Sequence, residues 1–154
     1  MKYSTATWLF LIPTLAFARL GETEAKCVER YGVAAEGFEQ KDTKLFYKSD
    51  FVITTHFFDG KVDCIIYSKE KKDDARPDGF SDTEISELLK INGGSEWESH
   101  STNPLIKTWL SKDGLFVASY RATKDPCVLV MTKAYAERRR QEKKAEEGAR
   151  LKGL

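Results

Sequence analysis

The sequence predicts an α+β fold: two helix-plus-antiparallel-strand units forming an antiparallel sheet with helices on one face, plus a charged C-terminal helix. Three observations lead there. Two Asp-Gly dipeptides, Asp59-Gly60 and Asp113-Gly114, each lie between runs rich in β-branched and aromatic residues, and Asp-Gly tolerates the positive φ angles of a tight hairpin. Each hairpin follows a segment with helix start and stop signals. The dipeptides are 54 residues apart and the helix starts, Thr23 and Ser81, are 58 apart, so one order of elements occurs twice. Strand runs between single helices favour an antiparallel sheet with helices packed on one side.

The first helix is expected from Thr23, which can cap it, through Cys27, Val28 and Tyr31 to a stop at Gly32. A strand over 44–48 turns at Ser49-Asp50 into the first hairpin, Phe51–Phe58 with Lys61–Tyr67. A two-residue turn pairs Phe58 with Lys61, Phe57 with Val62, and His56 with Asp63. One face then carries Phe51, Ile53, Thr55, Phe57, Val62, Cys64 and Ile66 and reads as core. Residues 69–80 form a charged joining loop closed by Pro77-Asp78-Gly79. The second unit, 81–132, opens on the capping box Ser81-Asp82-Thr83-Glu84. It continues with the stripe Ile85, Leu88 and Leu89, stops at Gly93-Gly94, and gives Trp97 a short strand before the Asn103-Pro104 loop. The second hairpin joins 106–112 to 115–121, and Asp125-Pro126 leads into a last strand, Cys127 to Thr132. Residues 133–154 read as a charged helix or tail. Helix formers and i,i+4 pairs such as Arg138/Glu142 support it, but no wide apolar stripe marks it as core, so a projecting, solvated helix is expected.

Residues 1–18 read as a cleaved export signal. Lys2 supplies the positive start, Trp8–Ile12 an apolar run interrupted by Pro13, and Ala16-Phe17-Ala18 the small-x-small pattern read by a signal peptidase. The run is too short to span a bilayer. The remaining 136 residues, with 19–132 as a single α+β domain of units 19–68 and 81–132, suffice to bury one core. From Lys133 onward eight basic residues stand against four acidic ones. The tail is therefore net +4 and the mature body net −4, a separation that salt weakens.

Cys27, Cys64 and Cys127 are spaced too widely for a zinc pattern, and neither cofactor nor metal is expected. Cys27 on the helix's inner stripe and Cys64 on the sheet's inner face can meet as a disulfide, the alternative being buried free thiols. His56 opposite Asp63 is the nearest approach to an acid–base pair, but no activated nucleophile accompanies it. A solvated cross-strand pair is the simpler reading. His100, in a polar loop, completes no metal site. The candidate binding residues are Trp97, Trp109, Phe116 and Tyr120, which core packing also explains, and Arg138, Arg139 and Arg140, which a solvated helix face also explains. Interspersed glutamates and export argue against nucleic acid.

Leu20-Gly21-Glu22-Thr23, Cys27, Tyr31-Gly32, Phe57-Phe58-Asp59-Gly60-Lys61, Ser81–Ile85 and Asn92-Gly93-Gly94 together resemble a group of small exported bacterial proteins without an assigned function. More distantly, the Gly-x-Thr helix start, the Tyr-Gly stop and the Asp-Gly-Lys hairpin end resemble the β-lactamase-inhibitor-like fold and the SmpA/OmlA outer-membrane lipoproteins. That resemblance implies a helix-plus-sheet unit that binds other proteins and catalyses nothing. The lipidated cysteine of the lipoproteins has no counterpart, so membrane anchoring does not carry over, and no contact residue of the inhibitor can be matched. The absence of an Asn-x-Ser/Thr acceptor agrees with a bacterial source.

The expected function is therefore that of an exported, periplasmic or secreted, non-enzymatic protein. It acts as a protein-binding or envelope-accessory module whose partner is another exported or envelope protein, with no nucleic acid and no membrane span. The alternatives are a structural or oligomeric envelope component and, last, a hydrolase using His56 and Asp63. The binding reading predicts an apolar-aromatic patch on the sheet face away from the helices.

Overall fold

The computed structural model describes residues 19–38, 40–71, 78–93, 96–101, 103 and 105–152. The export signal at 1–18, Gly94, Pro104 and the part of the joining loop that holds Pro77 lie outside the described residues. Helix α1 spans Glu24–Tyr31, followed by β1 (Thr43–Lys48), β2 (Phe51–Phe58) and β3 (Lys61–Lys69). The second unit contains α2 (Asp82–Gly93), β4 (Trp97–Ser99), β5 (Ile106–Ser111), β6 (Phe116–Arg121) and β7 (Cys127–Thr132), and α3 (Lys133–Lys152) ends the fold.

The strands form one seven-stranded sheet, ordered β1-β2-β3-β7-β6-β5-β4, with every neighbour antiparallel. Each unit is thus a meander, and the two meanders join through their last strands, β3 and β7. The signals at Ser81 and Gly32 act as read. The Ser81 N–H donates to Glu84 Oε2 at 2.7 Å and the Glu84 N–H donates to Ser81 Oγ at 3.2 Å, a reciprocal cap. Gly32 ends α1 at φ 95°, a left-handed value that costs glycine little. Thr23 occupies the N-cap position of α1 but makes no side-chain capping bond.

Both α1 and α2 pack on one sheet face. There Cys27, Tyr31, Ile85, Leu88 and Leu89 meet Phe46, Ile53, Ile65, Tyr67, Val128 and Val130 in a single core. Ion pairs at the rim pin the helices down: Glu24 with Lys44, Glu84 with Lys69, and Asp82 with Lys107. A buried polar chain crosses the core: the Tyr67 hydroxyl donates to Asn92 Oδ1 at 3.0 Å, and Asn92 Nδ2 donates to the Leu88 carbonyl at 2.6 Å. Arg19 reaches the hydroxyls of Tyr31 and Tyr67, so the buried hydroxyls of Tyr31 and Tyr67 and the Asn92 amide each have a partner.

Two expectations change. The register at the first turn is as read, Phe58 with Lys61 and Phe57 with Val62, but His56 then pairs with Cys64 rather than Asp63. Asp63 is the extra residue of a β-bulge. Past it, every side chain of β3 changes face: Ile65 and Tyr67 enter the core, while Cys64 and Ile66 turn to the opposite side. Cys27 and Cys64 therefore stand on opposite faces of the sheet and both are buried free thiols, so the possible disulfide does not form and the alternative reading stands.

The second change concerns α3. It is a helix, as expected, but its first turns lie on the sheet face away from α1 and α2 instead of projecting. Further along, Arg140 and most of the following positions are exposed.

Candidate functional site

Cross-strand partners share a face, so the pairings map the side opposite α1 and α2 in rows. Thr43, His56, Cys64, Met131, Val117 and Leu110 form one row; Leu45, Thr54, Ile66, Leu129 and Ser119 form the next. Tyr47, Val52, Ser68, Cys127, Arg121 and Ile106 complete the surface. Among the described residues, α3 is the helix that meets this face, over His56 and Cys64. Leu45, Val52, Ile66, Leu129, Val117 and Leu110 are half-buried, and Tyr47 and Ile106 are exposed. This open face is apolar at its centre but carries none of Trp97, Trp109, Phe116 or Tyr120.

The bulge builds a polar knot where α3 crosses. Asp63 is only 7% exposed, and a buried carboxylate requires partners. It has two: His56 Nδ1 donates to Oδ1 at 2.8 Å, and the Arg138 guanidinium donates to Oδ2. Arg138 also lies over the Phe58 ring, 4.0 Å from its centroid, a cation–π contact. Tyr135, one turn earlier on α3, meets the His56 ring edge-on at 5.2 Å and hydrogen-bonds the Cys64 thiol. The knot thus places thiol, imidazole and carboxylate side by side. The thiol is not activated: burial pushes it up to about 12, far from the depressed value a nucleophilic cysteine needs. The Tyr135 hydroxyl is likewise pushed up to about 12 by burial.

Beneath α3 is a cavity of about 280 Å³ with Thr54, His56, Cys64 and Ile66 among its lining; Lys41 and Arg139 also line it. Arg139 donates to Glu142, an exposed pair one turn on. Arg140 is exposed and does not line the cavity. Of the three predicted arginines, then, Arg138 and Arg139 border the cavity, Arg138 also locking the helix to Asp63, and Arg140 is solvated.

The four predicted aromatics lie on the α1/α2 side of the sheet. Trp97 and Trp109 come together in a shallow groove of about 430 Å³ between α2 and the β4–β5 edge, with Ile85 and Leu89. Trp97 is fixed there because its Nε1–H donates to the Leu89 carbonyl at 3.0 Å and its ring lies where a Cβ on Gly93 would be, at 2.4 Å. Phe116 packs half-buried against the core, and Tyr120 is buried in it, its hydroxyl accepting from the Phe80 N–H at 3.3 Å. Core packing accounts for Phe116 and Tyr120, leaving the two tryptophans at a surface groove.

Sequence reasoning missed Tyr135, Phe58 and the meeting of Cys64 with His56. Two signals pointed to Tyr135 and to a partner for Asp63: a single acid inside the otherwise apolar run 62–67 needs a buried cation, and Tyr135 is the one aromatic in a polar helix. Among the described residues, no group of three or more His, Cys, Asp or Glu side chains can hold a metal, and no helix is long and apolar enough to cross a membrane.

No protein-family model matches the chain, and no curated protein does. Among solved structures, the chain is similar to a cysteine-rich secretory protein from Staphylococcus aureus, at 13% identity and a TM-score of 0.40. The similarity covers 75% of this chain and 45% of that one, so the chain spans less than half of that protein's length.

Proposed function

We propose that this protein is an exported, non-enzymatic binding module of the cell envelope that takes a partner protein on the sheet face opposite α1 and α2. The observation that carries the reading is the open face itself. Its apolar centre, from Leu45 and Val52 through Ile66 and Leu129 to Leu110, has the basic side chain of Arg139 on α3 beside Ile66. A face of this kind suits an apolar segment with acidic flanks: burial of its apolar side supplies affinity, and charge sets its orientation. The pattern of Lys2, Trp8–Ile12 and Ala16-Phe17-Ala18 supports export. A hydrolase built on His56 and Asp63 has less support, because Asp63 is already engaged by Arg138 and the adjacent thiol is held protonated.

The test is site-specific photocrosslinking in the native envelope, with the crosslinker at Leu129 on the open face and, for comparison, at Glu29 on α1. A discrete adduct from position 129, absent from position 29 and lost in a Val52→Glu background that keeps its melting temperature, is the expected result. No adduct at 129, or the same adducts from both positions, would end the proposal.

A further inference from the structure

The cavity beneath α3 has a composition that the open face does not explain. Its floor combines Thr54, His56 and the apolar Ile66, while cationic side chains enter from two separate parts of the chain, Lys41 just before β1 and Arg139 on α3. Arg138 also borders it, but its charge is matched by Asp63. Glu142 is the carboxylate in the lining, and it is held by Arg139 in a pair whose two side chains are 63% and 53% exposed. Such an exposed pair contributes little and gives way to a better acceptor. What remains is a recess with excess positive charge at its rim, hydroxyl and imidazole groups on its floor, and one aliphatic wall. Packing α3 on the sheet does not require Lys41, which lies just before β1.

We propose that this cavity binds a small organic oxyanion: one carboxylate or phosphate group held between Lys41 and Arg139, with a short apolar stem against Ile66. The cavity shares Ile66 and Arg139 with the open face, so a protein seated there would compete with the small ligand. Inorganic phosphate and carboxylates share the chemistry that Lys41 and Arg139 recognise, and a branched stem distinguishes a built pocket from a patch of charge. The volume accommodates a molecule of a few carbon atoms. Binding places the ligand under the first turns of α3, so it reports on the seating of that helix.

The experiment is a titration of the mature chain, residues 19–154, with isovalerate, acetate and inorganic phosphate, followed by NMR at the His56 ring and the Ile66 methyls and by calorimetry. The expected result is saturable binding at one site per chain, with isovalerate tighter than acetate; comparison with phosphate then identifies the preferred head group. Lys41→Gln and Arg139→Gln are each expected to weaken binding about fivefold, as loss of one partly solvated charge contact implies. Arg140→Gln, which removes the same charge one residue away, should leave it unchanged. Three outcomes overturn the proposal: no saturation below about 50 mM, beyond which affinity has no meaning here; equal binding of acetate and isovalerate; or equal weakening by Arg139→Gln and Arg140→Gln, which would mark a diffuse field rather than a site.

Discussion

Replacing Arg138 with alanine tests how α3 is attached. The substitution removes the Asp63–Arg138 pair and the cation–π contact with Phe58. A hydrogen bond between charged groups contributes about 1.5–3 kcal/mol, and the lower half applies here because the Arg138 side chain is 31% exposed and solvent screens it. The Phe58 contact, at a half-exposed ring, adds about 0.5–1 kcal/mol. His56 remains on Asp63, so the carboxylate is not left wholly unpartnered, and the larger penalty of an isolated buried charge is avoided. The expected loss is about 2–3 kcal/mol, or roughly 10 °C in melting temperature for a chain of this size. Urea denaturation followed by Trp fluorescence measures it, with Arg140→Ala as the control that should change stability by less than about 0.5 kcal/mol. Asp63→Asn and the double variant complete the cycle, with an expected coupling of about 1–2 kcal/mol. If Arg138→Ala is as mild as Arg140→Ala, or the two substitutions are additive, α3 is not held by this knot and the account of the cavity's roof fails.

Three further predictions address other parts of the molecule. If the bulge sets the parity of β3, Ile65→Ala should cost about 2–5 kcal/mol and Ile66→Ala no more than about 1.5 kcal/mol by chemical denaturation; the reverse order would restore the unbulged register. Gly93→Ala places a Cβ 2.4 Å from the Trp97 ring and should destabilise by about 1–3 kcal/mol as that ring is displaced, with a red shift in Trp emission; an unchanged spectrum and stability would refute the locked tryptophan. Burial pushes the Cys27 and Cys64 thiols up to about 11 and about 12, above the roughly 8.5 of an unfolded thiol. The native state therefore holds these protons more tightly, and stability that is intact below about pH 8.5 should decline as the pH rises toward 11–12. Urea midpoints at neutral and alkaline pH check this, and the Cys27→Ala/Cys64→Ala double variant should lose the thiols' part of the decline.

Local signals were legible wherever a few adjacent residues decide the conformation. The capping box at Ser81, the stop at Gly32 and the turn at Ser49-Asp50 all form from neighbouring groups. The two Asp-Gly turns were found, although they differ. Asp59 and Gly60 both have positive φ, as a type I′ turn requires, whereas in the second hairpin Gly114 has positive φ and Asp113 does not. The bulge was not legible because Val62-Asp63-Cys64-Ile65-Ile66-Tyr67 is apolar at nearly every position, so alternation cannot tell one parity from the other. Long-range contacts settle it: Tyr67 must face inward to reach Asn92, 25 residues away, and Asp63 must face Arg138, 75 residues away.

The same bulge explains why the placement of α3 escaped a reading based on its own composition. A helix with so few apolar residues cannot be driven onto a sheet by burial, and nothing within residues 133–152 calls for a docking site. The need arises in β3, where the parity change leaves Asp63 buried at the edge of the open face with only a histidine beside it. A carboxylate so placed demands a cation, and α3, starting at Lys133 directly after β7, begins at this end of the sheet, where Met131 pairs with Cys64. Tyr135 and Arg138, three residues apart and hence on one side of the helix, then fall on Cys64, His56 and Asp63 together. One inserted residue thus separates Cys27 from Cys64, opens Ile66 to the far face, and recruits the charged helix that roofs the cavity. Shortening β3 by deletion of Asp63 should therefore change all three features at once, whereas three unrelated causes would let them vary separately.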